Sequence, residues 1–446
     1  MLSEAELKRI TDSVLGRTRA DQASVLLFDT DSALTRFANN EIHQNVAERD
    51  TGLLVQVVFG KKVGVASINR TDDEGITEVL RRAEELARHQ IDNPEFRSLP
   101  APKPFPAVAS SFSDVTADCL PERRARGVEV IVRRAMEHGL VAAGAFSTSA
   151  SQIAVANSLG LFASHRTTEA NINTVVMSDS SSGYADRLSF NVNEIDAEAV
   201  AAEAVQKALR GRDPKPLEPG LYEVVLEEYA VSDIVDFVSD LGFSALAVQE
   251  ERSFMVGRLG QRVLGENISI WDDGLANDTI AMPFDYEGTP KQRVNLIERG
   301  IACGLLYDTM TAQREGKEST GHGLPPGSVW GPVGMHLHLA PGTASKEELI
   351  RSVKRGLLVT RFWYTRTVHP LSITVTGMTR DGAFLIENGE IVTPVSNLRF
   401  TQSYLEALNH VDLIGRESQL KQTMYSYNRV PALKIAQWEF TGSSER

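Results

Sequence analysis

One eleven-residue stretch constrains this chain more than any other feature. Arg210-Gly211-Arg212-Asp213-Pro214-Lys215-Pro216-Leu217-Glu218-Pro219-Gly220 holds three prolines, two glycines and five charged side chains. Proline fixes φ and lacks the amide proton, so neither a helix interior nor a central strand passes through such a run. The stretch reads as a linker that divides the 446 residues into two units, 1–216 and 217–446. Each is long enough to bury its own core. The expected class is α+β: an N-terminal antiparallel sheet with flanking helices, then a β-rich, sheet- or barrel-like C-terminal domain with a few helices.

Before the linker, helical and strand periodicities alternate twice. Leu7, Ile10, Val14 and Leu15 keep helical spacing over about 4–17. Short strand-like runs follow at 23–28, 33–38, 41–48, 53–59 and 63–69, with Asp29-Thr30-Asp31 and Gly60-Lys61-Lys62 read as turns. Asp72 is placed to cap a helix over 73–90. A proline-rich excursion covers 94–120, and Pro121 then opens a helix to His138, since its missing N–H costs nothing there. A second strand series over 140–192 turns at Asn157-Ser158-Leu159-Gly160, and 197–209 is again helical. After the linker, helices are expected at 229–241, 307–314 and 345–355. The last has a Ser345/Glu348 capping box and Gly356 as its stop.

Composition narrows the function. With 46 Lys+Arg against 59 Asp+Glu the net charge is −13, which argues against a nucleic-acid backbone binder. Arg123, Arg124, Arg126, Arg133 and Arg134 share a helix with Glu122, Glu129 and Glu137 and read as a solvated face. No apolar run approaches the roughly 18 residues needed to span a bilayer, so no membrane partner is expected. Two cysteines, Cys119 and Cys303, cannot build a disulfide framework or a multi-cysteine zinc site. With no secretory leader recognised, the expected location is the cytosol.

Nine histidines are the natural place to seek chemistry. His336 and His338 fall on one strand face and read as half-exposed residues lacking a third ligand nearby. His322, in a glycine-rich segment, suits either a flexible loop beside a cleft or a surface turn. Cys303 lies among apolar residues and reads as a packed core thiol. The chain contains no G-x-S-x-G, phosphate loop or dinucleotide fingerprint.

A longer pattern goes further. Glu287-Gly288-Thr289-Pro290-Lys291-Gln292-Arg293-Val294-Asn295-Leu296-Ile297-Glu298-Arg299-Gly300 resembles the E-G-x-P-x-x-R-x-x-L-I-E-x-G core of the TldD/PmbA family, once called modulators of DNA gyrase. Similar blocks continue at Leu305-Leu306-Tyr307-Asp308, Ser319-Thr320-Gly321, Pro341-Gly342-Thr343-Ala344-Ser345 and Leu385-Ile386-Glu387-Asn388-Gly389-Glu390. Arg36-Phe37-Ala38-Asn39-Asn40-Glu41-Ile42-His43-Gln44 resembles the family's opening meander, so the likeness runs through essentially the whole chain. Glu287, Gly288, Pro290, Arg293, Glu298 and Gly300 are signature positions, read as structural.

The resemblance implies two subunit types. The TldD type carries H-E-x-x-x-H on the helix after the linker and a cysteine near the C-terminus, resembling a peptidase zinc site. The TldE/PmbA type lacks these and pairs with a TldD. Here there is no histidine between His165 and His322 and no cysteine after Cys303. The expected function is therefore a non-catalytic TldE-like subunit of a heteromeric zinc peptidase acting on unfolded or modified peptides. No catalytic residue, metal ligand or cofactor is expected in this chain; the zinc belongs to the partner subunit. Asp233, Asp236 and Asp240 on that helix read as its wet face. Arg361, Phe362, Trp363, Tyr364 and Arg366, with His322, are candidates to line the peptide chamber or dock the partner. The alternatives are a stand-alone metallopeptidase with a relocated site (His322, His336 and His338) or a non-proteolytic, gyrase-modulator-type binding protein.

Overall fold

The computed structural model describes residues 1–424 and 426–443. The first part of the chain gives α1 (Glu4–Arg17), β1 (Gln22–Ala38), β2 (Glu41–Phe59), β3 (Lys62–Ile68), α2 (Asp73–His89), α3 (Asp114–Ala117) and α4 (Pro121–Glu137). There follow β4 (Val141–Asn157), β5 (Phe162–Met177), β6 (Ser182–Ser189) and α5 (Ala197–Arg210). The six strands form one sheet in the order β3-β2-β1-β4-β5-β6, antiparallel throughout. Helices cover one face: α1 and α2 bury Leu7, Ile10, Val79 and Ala83 against β1 and β2, and α4 and α5 bury Val128, Ile131, Val200 and Ala204 against β4–β6.

Two local expectations fail here for one reason. Asp29-Thr30-Asp31 is not a turn; β1 and β2 run unbroken through it. Asp29 lies opposite Thr51 in the ladder and accepts hydrogen bonds from Thr51 Oγ1 at 2.8 Å, Arg49 Nη2 at 3.1 Å and the Leu2 amide at 2.6 Å. A buried carboxylate so satisfied needs no exit to water. Arg124, expected on a solvated face, is buried; it donates to Thr148 Oγ1 at 3.1 Å, the Cys119 carbonyl at 3.0 Å and Thr35 Oγ1 at 3.3 Å. In both cases some of the partners, Arg49 and Thr51 for Asp29 and Thr35 and Thr148 for Arg124, come from strands distant in sequence.

The rest of the chain is β7 (Gly220–Leu226), α6 (Glu228–Gly242), α7 (Ala245–Gln249), β8 (Ile270–Asp272), β9 (Val294–Glu298), β10 (Ile301–Ala302) and α8 (Thr309–Glu315). Then come β11 (His336–Leu339), α9 (Lys346–Arg351), β12 (Arg355–His369), β13 (Thr374–Glu387), β14 (Glu390–Pro394), β15 (Leu398–Ser403), α10 (Tyr404–Asn409), β16 (Val411–Gln422) and β17 (Tyr427–Ser443). These strands make one mixed sheet. Within it β17, β15, β13, β12 and β7 pair in sequence and β7 pairs back onto β17, closing a ring. Trp438, Phe400, Phe362 and Tyr404 fill its core with ring centroids 4.6–6.5 Å apart. The Ser345/Glu348 capping box starts α9 as expected, but the helix ends at Arg351. Gly356 does not stop it; the residue lies within β12, beside the Glu223 backbone of β7, where a side chain has no room.

The uncovered face of the N-terminal sheet meets the C-terminal part. Leu26, Val155, Leu161 and Ala163 pack against Phe284 there. Between α5, β6 and α6, Tyr229 lies under two ammonium groups, Lys421 at 3.7 Å and Lys207 at 4.9 Å from its ring centre. Its hydroxyl donates to Glu203 at 2.9 Å. No helix among the described residues is long and apolar enough to cross a membrane.

Candidate functional site

Helix α6 follows β7 directly and turns Val231, Ile234, Val235 and Val238 into the core, the stripe expected from the sequence. Of the three aspartates read as its wet face, only Asp240 is exposed. Asp233 accepts hydrogen bonds from Tyr404 Oη at 2.7 Å and Thr365 Oγ1 at 2.8 Å, and burial pushes its carboxyl up to about 6. Asp236 accepts from Ser426 Oγ at 2.8 Å and Thr423 Oγ1 at 3.0 Å, and burial again raises it. Asp240 reaches solvent, yet desolvation by the surrounding protein, helped by the Asp236 charge, lifts it to about 7.

This donor set does not fit a zinc ion. Zinc selects imidazole, thiolate or ionised carboxylate. Helix α6 offers three carboxyls whose ionised form is disfavoured, two of them already taken up by hydroxyl donors. Among the described residues, no group of three His, Cys, Asp or Glu side chains is placed to hold a metal.

His322 and His336 belong to a buried polar cluster around Asp272. His322 is neither a flexible loop nor a surface turn; it is buried, with Nε2 at 2.8 Å from Asp272 Oδ1 and Nδ1 at 2.8 Å from Thr320 Oγ1. Asp272 also accepts from the His336 amide at 2.8 Å and lies 4.0 Å from the buried Lys291 ammonium. The His322 hydrogen bond and the Lys291 ammonium hold the Asp272 carboxyl far below its usual range despite burial, while desolvation and Lys291 depress His322. His336 and His338, expected half-exposed, are both buried. His336 Nε2 donates to the Ile280 carbonyl at 3.0 Å, and His338 stacks on Trp271 with Nε2 3.3 Å from Asp278. The three imidazoles thus point to different partners and do not converge. Cys303 is exposed and not a packed core thiol, because it follows the short β9–β10 hairpin on its outer side.

The aromatic segment of β12 separates by strand alternation and a bulge. Phe362 is a core residue of the ring, so it is available neither to a chamber nor to a docking surface. Arg361 ion-pairs with Asp381 and lies 4.0 Å over the Tyr184 ring, joining the two parts of the chain. Trp363 is 44% exposed beneath Arg380, and Tyr364, at φ +55°, is 69% exposed beneath Arg366. His322 shares no hydrogen bond with any of them; its ring partners are Asp272 and Thr320. The register shift between Trp363 and Arg366 is what turns two consecutive rings outward.

The signature block is a set of close approaches. The Glu287 carboxyl accepts from the Thr309 amide at 2.9 Å, and burial with Asp285 and Asp308 nearby raises it to about 8. Gly288, at φ +80°, faces Leu161 of the N-terminal hairpin, where a Cβ would approach to 2.6 Å. Pro290 precedes Lys291 of the buried cluster. Arg293 covers Trp271 at 4.6 Å and lies 3.9 Å from Asp273. Glu298 and Gly300 belong to the β9–β10 hairpin. The sequence reading missed Asp272 and Lys291, whose charges meet only after β8 and β9 pair, with Asp272 opposite Val294.

Comparison with known proteins agrees with this architecture. Three family models match in order: PmbA/TldA metallopeptidase domain 1 over residues 23–87, the central domain over 120–212 and the C-terminal domain over 219–442. The structure resembles that of TldE from Thermococcus kodakarensis with a TM-score of 0.88 and 20% identity, covering 98% of this chain and 99% of that one. Metalloprotease PmbA of Escherichia coli O157:H7 is 22% identical over 97% of both chains. An uncharacterized protein of Methanocaldococcus jannaschii is 26% identical over 61% of this chain, which spans 63% of that relative's length. A signature block, a ring-closed C-terminal domain and three consecutive family models lead to one conclusion: the chain belongs to the TldD/PmbA family of metallopeptidase-related proteins.

Proposed function

We propose that this chain is the TldE/PmbA-type, non-catalytic subunit of a heteromeric zinc peptidase. It would complete the peptide chamber of a TldD-like subunit that carries H-E-x-x-x-H and the metal. The observation that carries this is α6, where buried carboxyls held by Tyr404, Thr365, Ser426 and Thr423 occupy the helix on which a TldD-type chain has its zinc ligands. Activating water for amide cleavage needs a Lewis acid or a poised base, and α6 supplies no imidazole for either. The substrates on this reading are unfolded or modified peptides, the compartment is the cytosol, and Trp363, Tyr364 and Arg366 form part of the surface toward the partner. The chain acts as two units, 1–216 and 217–446, each built on its own sheet.

The test is zinc content and hydrolysis of an unfolded peptide, measured on this chain alone, on the H-E-x-x-x-H subunit from the same genome alone, and on their mixture. The reading expects zinc only in the second protein and the highest turnover in the mixture. Stoichiometric zinc in this chain, with chelator-sensitive turnover, would establish the stand-alone enzyme instead.

A further inference from the structure

The contact between the N-terminal sheet and the C-terminal part leaves a cleft of about 650 Å³. Its floor is the uncovered sheet face, and two rows cross that face in register. Phe28, Ile153 and His165 are direct neighbours on β1, β4 and β5, and Thr30, Ser151 and Thr167 form the next row. Thr30 Oγ1 donates to Ser151 Oγ at 3.2 Å, so the second row is a hydroxyl ladder beside an apolar one. The opposite wall carries Trp330, Met335, Met424 and Tyr427.

Charge sets the class of occupant. Asp, Glu, Lys and Arg make up 24% of the chain, yet none lines this cleft among the described residues. Desolvation lowers the pKa of His165 and so disfavours its charged form, and its Nε2 donates to the Ala281 carbonyl at 2.9 Å. Glu169, next on the same face of β5, is capped by Tyr427 Oη at 2.8 Å and Gln422 Nε2 at 3.0 Å, and burial raises its carboxyl. A charged ligand would lose its hydration here and find no counter-charge. At the mouth, Trp330 and Met424 are 76% and 81% exposed, large apolar side chains held in water beside an apolar slot. Volume, aromatic lining and a few aligned hydroxyls are the attributes of a ligand site.

We propose that this cleft binds an uncharged stretch of peptide bearing an aromatic side chain. The ring sits between Trp330 and the Phe28–Ile153 row, and the peptide amides lie along the Thr30–Ser151–Thr167 hydroxyls. That the ligand is a peptide rests on the function proposed above; that it is uncharged and aromatic rests on the cleft. The same loop that provides Thr423 and Ser426 to Asp236 of α6 also lines the cleft. Occupancy is thereby placed beside the helix in question.

The full chain, purified without a partner, is titrated calorimetrically with acetyl-Ala-Leu-Phe-Ala-amide and with acetyl-Ala-Glu-Lys-Ala-amide. Saturable binding of the first is expected, with the charged peptide at least about tenfold weaker, equivalent to one lost anchor contact. Trp330→Ala is expected to weaken the first peptide by about tenfold, and Ser151→Asp to abolish measurable binding. Failure of the aromatic peptide to saturate, equal binding of both peptides, or undiminished binding in Trp330→Ala would overturn the proposal. Trp330 is on the surface, so its variant reads the cleft even if Ser151→Asp does not fold. The assay contains neither zinc nor partner. Failure of the subunit reading therefore shows in metal content and turnover, and failure of the cleft shows here.

Discussion

Gly300→Ala is expected to destabilise the C-terminal part far more than the same change at another left-handed glycine. Gly300 has φ +76°, and an added Cβ would fall 2.6 Å from the Gly265 carbonyl oxygen and closer still to that of Leu264. The surrounding backbone cannot yield freely. The Gly300 carbonyl accepts from Val263 N at 2.8 Å and Leu264 N at 3.1 Å, and its amide donates to Ile268 O at 2.8 Å. The left-handed conformation alone costs a side chain about 1–2 kcal/mol. Displacing the 263–268 segment sacrifices one or two of those hydrogen bonds at about 1 kcal/mol each, more if a buried group is left unpaired. The total is about 2–4 kcal/mol. Gly316 provides the control: it ends α8 at φ +65° with nothing within 4 Å of its would-be Cβ, so Gly316→Ala pays only the conformational term. Thermal unfolding of both variants isolates the close approach. For a unit of this size, a difference of about 1–2 kcal/mol separates the midpoints by roughly 2–8 °C. Equal midpoints would refute the claim that the signature glycine is required by packing.

Three further outcomes follow from the geometry. Phe362→Ala removes a ring packed 4.6 Å from Phe400 and is expected to cost about 3–5 kcal/mol in denaturant unfolding. Trp363→Ala, next to it but 44% exposed, opens no cavity and is expected to cost less than half as much, about 1–2 kcal/mol. Asp233→Asn tests this carboxyl: raised from 3.8 to about 6 on folding, the acid is protonated in the folded chain while ionised in the unfolded one between those two pH values. Its contribution is therefore full below about pH 4 and is lost as pH rises through about 6. The wild-type-minus-variant stability difference should fall across that window, and a difference that rises with pH would contradict the burial argument.

Local chemistry was legible in the sequence, and long-range chemistry was not. Asp72 and Ser345 announce their helices because cap and capped amide lie within a few residues of each other, and Pro121 announces its own by standing at the first helical position, where its missing N–H costs nothing. The turn at Asn157–Gly160 is equally self-contained, with Asn157 Oδ1 accepting from Leu159 N at 2.9 Å. Asp29 and Arg124 misled because their partners, Arg49 and Thr148, stand on neighbouring strands. Asp233 and Asp236 look like a solvent face until Tyr404, Thr365 and Ser426 arrive from elsewhere in the chain. The aromatic run of β12 was visible as a feature. Which rings face inward depends on a bulge that residue order does not reveal. The cleft draws its lining from Phe28 to Tyr427, and no window of sequence contains it.

The ring closure of the C-terminal sheet has a consequence for biogenesis. β7, the first strand after the linker, takes β17 as one neighbour, with Gly220 opposite Phe440 and Leu226 opposite Leu433. During synthesis β7 emerges about 200 residues ahead of that mate, leaving a sticky backbone edge to wait for tens of seconds at ribosomal speeds. The N-terminal sheet can mature meanwhile, whereas the barrel must fasten last, as a hoop whose clasp is forged at the end.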